Sequence, residues 1–184
     1  MNPSKRLFFL ALLPPVEVQD YANQIKQEFA ERYGSRGAQK SPPHVTLQPP
    51  FQGVEETVPD LKQHLRNFVR TQTPIPMTLS GFGAFPPRVI YINVLKTPEL
   101  LQAQTDLSTS LATTLGIVDP TSQQRPFSPH MTVAFRDLTK QNFKAAWPEF
   151  QGRSLYFEFT VSCLTLLHHT GERWLVEEEF PFGD

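Results

Sequence analysis

The 184-residue chain predicts an α+β fold: two similar lobes, each an antiparallel sheet flanked by helices, related by pseudo-twofold symmetry with a cleft between them. Three observations carry this expectation. Helical and strand patterns are interleaved, yet the last strands are joined by a tight turn, which argues against a doubly wound parallel sheet. A short segment recurs nearly half the chain apart: Ser41-Pro42-Pro43-His44-Val45-Thr46-Leu47 and Phe127-Ser128-Pro129-His130-Met131-Thr132-Val133. Each copy is extended and lies between two helical patterns. The length suits one domain or two closely joined lobes, so residues 1–184 are expected to form a single bilobal unit.

Leu7 to Leu13 is an apolar run stopped by Pro14-Pro15, as expected of a strand covered on both faces. The preceding Lys5 and Arg6 lend it a superficial likeness to a secretory signal, but no small-x-small cleavage site follows. Val18, Tyr21, Ala22, Ile25, Phe29 and Tyr33 then recur at helical spacing up to Gly34. Ser35 to Ser41 is polar and turn-like, and Pro43 to Leu47 is extended. A second helix carries Leu61, Leu65, Phe68 and Val69 on one face, with Pro59 in its first turn, where proline is tolerated. Ile75 to Phe85 and Val89 to Leu95 read as strands joined at Pro86-Pro87. Thr97, Pro98 and Glu99 open a third helix through Leu100, Leu107, Leu111 and Leu115, closed by Gly116. A loop bearing Pro120, Pro126 and Pro129 leads to the extended segment His130 to Phe135. A short helix over Lys140 to Trp147 and strands at Leu155 to Leu167 and Arg173 to Phe180, turning at Thr170-Gly171, complete the reading.

Seventeen basic against eighteen acidic residues give a net charge of -1, which excludes a protein that coats nucleic acid through bulk charge but not a groove for one phosphate. A single cysteine excludes an intrachain disulfide and any multi-cysteine metal site, and fits a reducing, cytoplasmic setting. No apolar run reaches the 18 or so residues of a membrane helix. Eighteen prolines are about twice the usual share; they fall in spaced pairs that punctuate elements.

With 5 histidines and 16 threonines, about 0.4 bare H-x-T matches are expected by chance. Requiring a preceding proline and a following apolar residue makes two matches by chance a roughly one-in-several-thousand event. The third match, His168-His169-Thr170, lacks both and falls at the hairpin turn, so it is read as accidental. On a strand, residues two apart share a face: His44 and Thr46 point one way and Val45 and Leu47 the other, and likewise His130 and Thr132 against Met131 and Val133. Two imidazoles, each able to hold or release a proton near neutral pH, supply a general acid and a general base. Hydroxyls beside them stabilise an anionic centre, which favours phosphoryl chemistry. No third histidine or carboxylate stands at metal-ligand spacing, so neither metal nor other cofactor is expected.

P-H-V-T-L and P-H-M-T-V resemble the paired H-x-T-x motifs of the 2H phosphoesterase superfamily, which includes the 2'-5' RNA ligases and RNA 2',3'-cyclic phosphodiesterases. The resemblance runs over most of the chain. It implies a bilobal α+β sandwich with the catalytic cleft between lobes, His44 as general acid toward the departing ribose oxygen, His130 as base activating water, and Thr46 and Thr132 on phosphate oxygens. The implied partner is an RNA end or nucleotide carrying a cyclic phosphate, opened to a 2'-phosphate, with 2'-5' ligation as a counterpart reaction. No obligate protein partner is implied. Where better-known members reach a phenylalanine and glycine soon after motif one, this chain has Gln48-Pro49-Pro50-Phe51-Gln52-Gly53, which bears on substrate more than on chemistry. A nucleotide-binding module without turnover, and an enzyme for a small cyclic phosphate such as ADP-ribose cyclic phosphate, are the alternative readings.

Arg125 and Arg136 flank motif two and are candidates to neutralise a phosphate, or else solvated surface arginines. Phe51 and Phe127 either stack on a base or pack in the core. Arg88 is a weaker candidate of the first kind. His64 reads as an ordinary helix residue, Cys163 as an inert strand thiol, and Glu177-Glu178-Glu179 as a solvated terminus.

Overall fold

The computed structural model describes residues 4–183. The apolar run near the start forms strand β1 (Lys5–Leu12), and both its faces are covered. Phe8, Leu10 and Leu12 enter the main core, while Phe9 and Ala11 join a second, small cluster with Leu167 on the other face. That is why the run is continuous rather than alternating. Helix α1 (Val16–Tyr33) buries Val18, Ala22, Ile25 and Phe29 and ends at Gly34, whose φ of 65° and amide bond to the Phe29 carbonyl make a left-handed cap.

Strand β2 (Val45–Val54) is longer than the predicted Pro43–Leu47, because it continues through Pro49 and Pro50. It is an edge strand in the sheet ordered β2-β1-β7-β8, and proline, which has no amide hydrogen to give, is tolerated at an edge. Helix α2 (Val58–Val69) buries Val58, Leu61, Leu65 and Val69. Strands β3 (Ile75–Phe85) and β4 (Val89–Val94) follow, and then helix α3 (Pro98–Leu115), capped by the Thr97 hydroxyl accepting from the Leu100 amide and closed by Gly116.

Motif two opens strand β5 (His130–Ala134). Helix α4 (Lys140–Gly152) runs past the predicted end at Trp147, carrying Pro148 inside it; Ala146 and Phe150, both fully buried, hold the helix across the proline. The expected single strand Leu155–Leu167 is instead two: β6 (Tyr156–Val161) and β7 (Cys163–His169), the latter paired with β8 (Trp174–Pro181). They lie in different sheets, since β6 pairs with β3 and β7 with β1. The crossing is at exposed Ser162, whose carbonyl accepts from the Phe182 amide. Periodicity changes there too, from alternating burial in β6 to the continuous buried run Leu164 to Leu167.

The second sheet is ordered β5-β4-β3-β6, and every pairing in both sheets is antiparallel. Each sheet therefore has the same arrangement around its motif: β1-α1-β2 in one and β4-α3-β5 in the other place the motif strand at an edge beside its partner strand. Among the described residues, no helix is long and apolar enough to cross a membrane.

Candidate active site

The strand alternation read from the sequence holds at both motifs. Val45, Leu47, Met131 and Val133 are buried, whereas His44, Thr46, His130 and Thr132 line one cleft of about 950 Å³. The two histidines are oriented alike. His44 Nδ1 donates to the Pro42 carbonyl at 2.7 Å, and His130 Nδ1 to the Ser128 carbonyl at 2.7 Å. A carbonyl only accepts, so each Nδ1 carries hydrogen and each Nε2 is the atom left to exchange a proton. The proline before each histidine favours an extended approach, which brings the carbonyl two residues back within reach of the ring.

Burial sets the resting charge of this pair. Desolvation lowers the His44 pKa from 6.5 to about 4, with smaller contributions from Lys26 and His130, against the Pro42 hydrogen bond. His130 is also lowered by burial, opposed by its bond to Ser128. Both imidazoles are thus neutral at pH 7 in the free protein, and a bound phosphodiester anion favours adding the proton that a general acid needs.

Lys26, on α1, is 1% exposed and donates to the Ser41 carbonyl at 2.8 Å, pinning the segment that leads into motif one. Burial lowers its pKa to about 8, so it remains cationic at neutral pH. Lys26→Met is therefore expected to raise the His44 pKa by removing that charge, which an NMR titration of the imidazole reads directly; an unmoved His44 titration would show that the charge is not felt.

Another part of the cleft lining is built from the Gly37–Lys40 turn and the segment after β5. Asp137 clamps them: its carboxylate accepts from the Ser35 hydroxyl at 2.8 Å and the Arg36 and Gly37 amides at 2.7 and 2.9 Å. A side chain at Gly37 would meet the Phe135 carbonyl at 2.8 Å, so the close approach requires glycine. Arg136 has a φ of 53°, in a tight turn closed by the Asp137 amide on the Phe135 carbonyl, and its guanidinium lies 4.7 Å over the Phe135 ring. Arg36, Lys40 and Arg136 line the cleft and form no ion pair with another described residue.

Not every candidate falls here. Phe51 does not line the cleft; the pleat of β2 turns it to the core side, where its ring packs against Phe8 at 6.1 Å. Arg125 is exposed in the loop between α3 and β5 and stands away from the cleft lining, as does Arg88. Phe127 packs against the core, and His64 joins α2 to α3 through the Ser110 hydroxyl at 2.8 Å. The glutamates of β8 are not simply solvated: Glu177 accepts from Arg6 and Lys62, both at 2.7 Å, and Glu178 from Arg66 at 2.7 Å. Burial pushes the Cys163 thiol up, away from reactivity.

The sequence reading missed Phe9, Arg36, Lys40, His169 and Trp174, all of which line the cleft. The only signal among them was the third H-x-T, dismissed because it ends a strand at a turn; its His169 reaches the cleft from that end. Among the described residues, no three His, Cys, Asp or Glu side chains gather at a point where they could hold a metal ion.

Residues 14–173 match the family model of the 2'-5' RNA ligase superfamily. The chain belongs to that superfamily. Relatives of this 2H phosphoesterase carry the name "Putative phosphoesterase": one from Oceanobacillus iheyensis is 30% identical, covering 95% of this chain and 96% of its own, and one from Geobacillus kaustophilus is 27% identical over 95% of each. The fold is that of Escherichia coli LigT in complex with NADP+, with a TM-score of 0.70, 22% identity and complete coverage of both chains. LigT with 3'-AMP (TM-score 0.70, 19% identity, 98% and 100% covered) and TT0787 of Thermus thermophilus (0.67, 22%, 97% and 99%) share it.

Proposed function

We propose that this superfamily member is a metal-independent phosphodiesterase of the cytoplasm that hydrolyses 2',3'-cyclic phosphate ends of RNA or nucleotides to 2'-phosphates. The observation that carries the reading is the matched pair of imidazoles, each held at Nδ1 by a backbone carbonyl and each accompanied by a threonine, in one cleft. In the step proposed, His130 Nε2 takes a proton from water as the water oxygen bonds to phosphorus. The bond from phosphorus to the ribose 3'-oxygen breaks, and His44 Nε2 gives its proton to that oxygen. Thr46 and Thr132 donate to the non-bridging oxygens, where charge builds in the transition state. A 5'-hydroxyl in place of water would give a 2'-5' linkage by the same displacement. That LigT crystallises with 3'-AMP and with NADP+ supports a nucleotide as the ligand class.

The test is to incubate the purified protein, in EDTA, with an oligoribonucleotide ending in 2',3'-cyclic phosphate and to resolve the products. Conversion to the 2'-phosphate is expected. Binding of the oligomer without turnover would favour a binding module instead. The small count of free cations along the cleft and the net charge of -1 favour a short substrate, so a cyclic mononucleotide and ADP-ribose cyclic phosphate belong beside the oligomer.

A further inference from the structure

Beyond His44 the cleft wall continues as a row of aromatic rings. Phe9 lies 4.8 Å from His44, Trp174 meets Phe9 edge-on at 4.6 Å, and His169 lies 4.8 Å from Trp174. Phe9, His169 and Trp174 all line the cleft, from three adjacent strands, and His169 and Trp174 are a cross-strand pair at the mouth of the β7-β8 hairpin. Behind Trp174 is the small cluster of Phe9, Ala11 and Leu167, with Leu13, so the indole is half-buried, held from one side. None of these rings takes part in the proton transfers.

The His130 side differs. Phe85 and Tyr91 pack on the His130 ring at 5.0 and 5.3 Å, yet neither lines the cleft. Phe85 meets the imidazole edge-on and Tyr91 is tilted against it, so both rings brace His130 from outside the cleft lining. The third wall is cationic, through Arg36, Lys40 and Arg136. The other aromatic residue of the lining, Phe135 after β5, lies under the Arg136 guanidinium at 4.7 Å, whereas the rings on the His44 side form a continuous row with no cation over them among the described residues.

We infer that Trp174, braced by Phe9 and His169, is the stacking platform for the nucleobase of a nucleotide whose phosphate sits between His44 and His130. This rests on the phosphodiesterase reading of the cleft and adds an orientation to it. A base on Trp174 puts its ribose on the His44 side, so the departing ribose oxygen faces His44 and the attacking water, opposite it, faces His130. Stacking reads a π-face rather than a hydrogen-bond pattern, so the platform is tolerant among bases.

Trp147 and Trp174 are the two tryptophans, and Trp147 lies on α4 against Phe143, outside the cleft. In a Trp147→Phe background, fluorescence reports Trp174 alone. Saturable quenching by 2'-AMP is expected, and none by inorganic phosphate or ribose 5-phosphate, which lack a base. Calorimetry on the natural chain and on Trp174→Ala should show a rise of about ten-fold or more in the Kd for 2'-AMP, the size of a lost base stack, with phosphate affinity unchanged. Unchanged phosphate affinity also shows that the variant keeps its cleft, and Trp174→Phe should recover most of the loss. Equal 2'-AMP affinity in Trp174→Ala, or failure of the natural chain to bind 2'-AMP, overturns the platform. If Trp174 stacks the base while no cyclic phosphate is opened, the platform stands and the phosphodiesterase reading falls; turnover indifferent to Trp174 gives the reverse.

Discussion

Alanine at His44 or at His130 is expected to lower kcat/KM for a cyclic phosphate by about 10²- to 10⁴-fold, the usual contribution of one positioned acid or base. The double variant should lose far less than the product of the two, because the pair works as a unit. The pH profile carries the sharper information. The productive form holds one proton across the two imidazoles, one charged and one neutral. Burial lowers both pKa values in the free protein, His44 to about 4 and His130 below its ordinary value. Since kcat/KM reports the free enzyme, its bell should peak below pH 6.5 and decline through neutrality as the acid loses its proton. The bound phosphodiester adds a negative charge beside both rings and raises their pKa values, so the kcat profile should lie to the alkaline side of it. Each alanine variant should lose one limb. A kcat/KM maximum at or above pH 8 would contradict the burial of this pair, and a bell that survives intact in either variant would remove that histidine from the mechanism.

What was legible in the sequence was local. The H-x-T spacing is a strand property, and a strand with one buried face needs no distant information to turn His44 and Thr46 to the other. The caps at Gly34, Thr97 and Gly116 were legible for the same reason. What escaped depends on which strands become neighbours. Trp174 and His169 reach the cleft only because β7 pairs with β1, which carries Phe9, and that pairing is set across most of the chain. Arg36 and Lys40 sit in a stretch whose composition reads as an ordinary turn; they are fixed at the cleft by Asp137, about a hundred residues on. Phe51 shows the converse error. Nearness to a motif in sequence suggested stacking on a base, but the pleat of β2 pairs it with Phe8 on the core side. The break at Ser162 was hidden because both flanking segments are good strand sequences, and only their different sheets separate them.

Protonating the site should also destabilise the fold, in a pH window that identifies the group responsible. The folded-state pKa of His44, about 4, lies below the ordinary 6.5 that the unfolded chain would show. Between those values the unfolded chain binds the proton and the folded chain does not, so stability is full above pH 6.5 and falls as pH drops toward 4. For this one group the loss reaches about 2 kcal/mol by pH 4.5 and approaches about 3 kcal/mol below pH 4. His130, also lowered, adds in the same direction. The carboxylates act in a lower window. Glu28 is held below the ordinary 4.5 chiefly by Arg153, and Glu149 is lowered to about 2 chiefly by Arg32, so their contributions fade only as pH falls through that range. Across urea unfolding at pH 7.0, 5.5 and 4.5 the histidines titrate first. The carboxylates, which begin to take up protons in the unfolded chain near 4.5, contribute alike to the parent and to a His44 variant. His44→Gln cannot take up the proton and can still donate an amide hydrogen to the Pro42 carbonyl, so its decline across this interval should be smaller than the parent's by about 2 kcal/mol. Parallel declines in the two proteins would mean that His44 titrates near its ordinary value, and the neutral resting state of the cleft would fail with it.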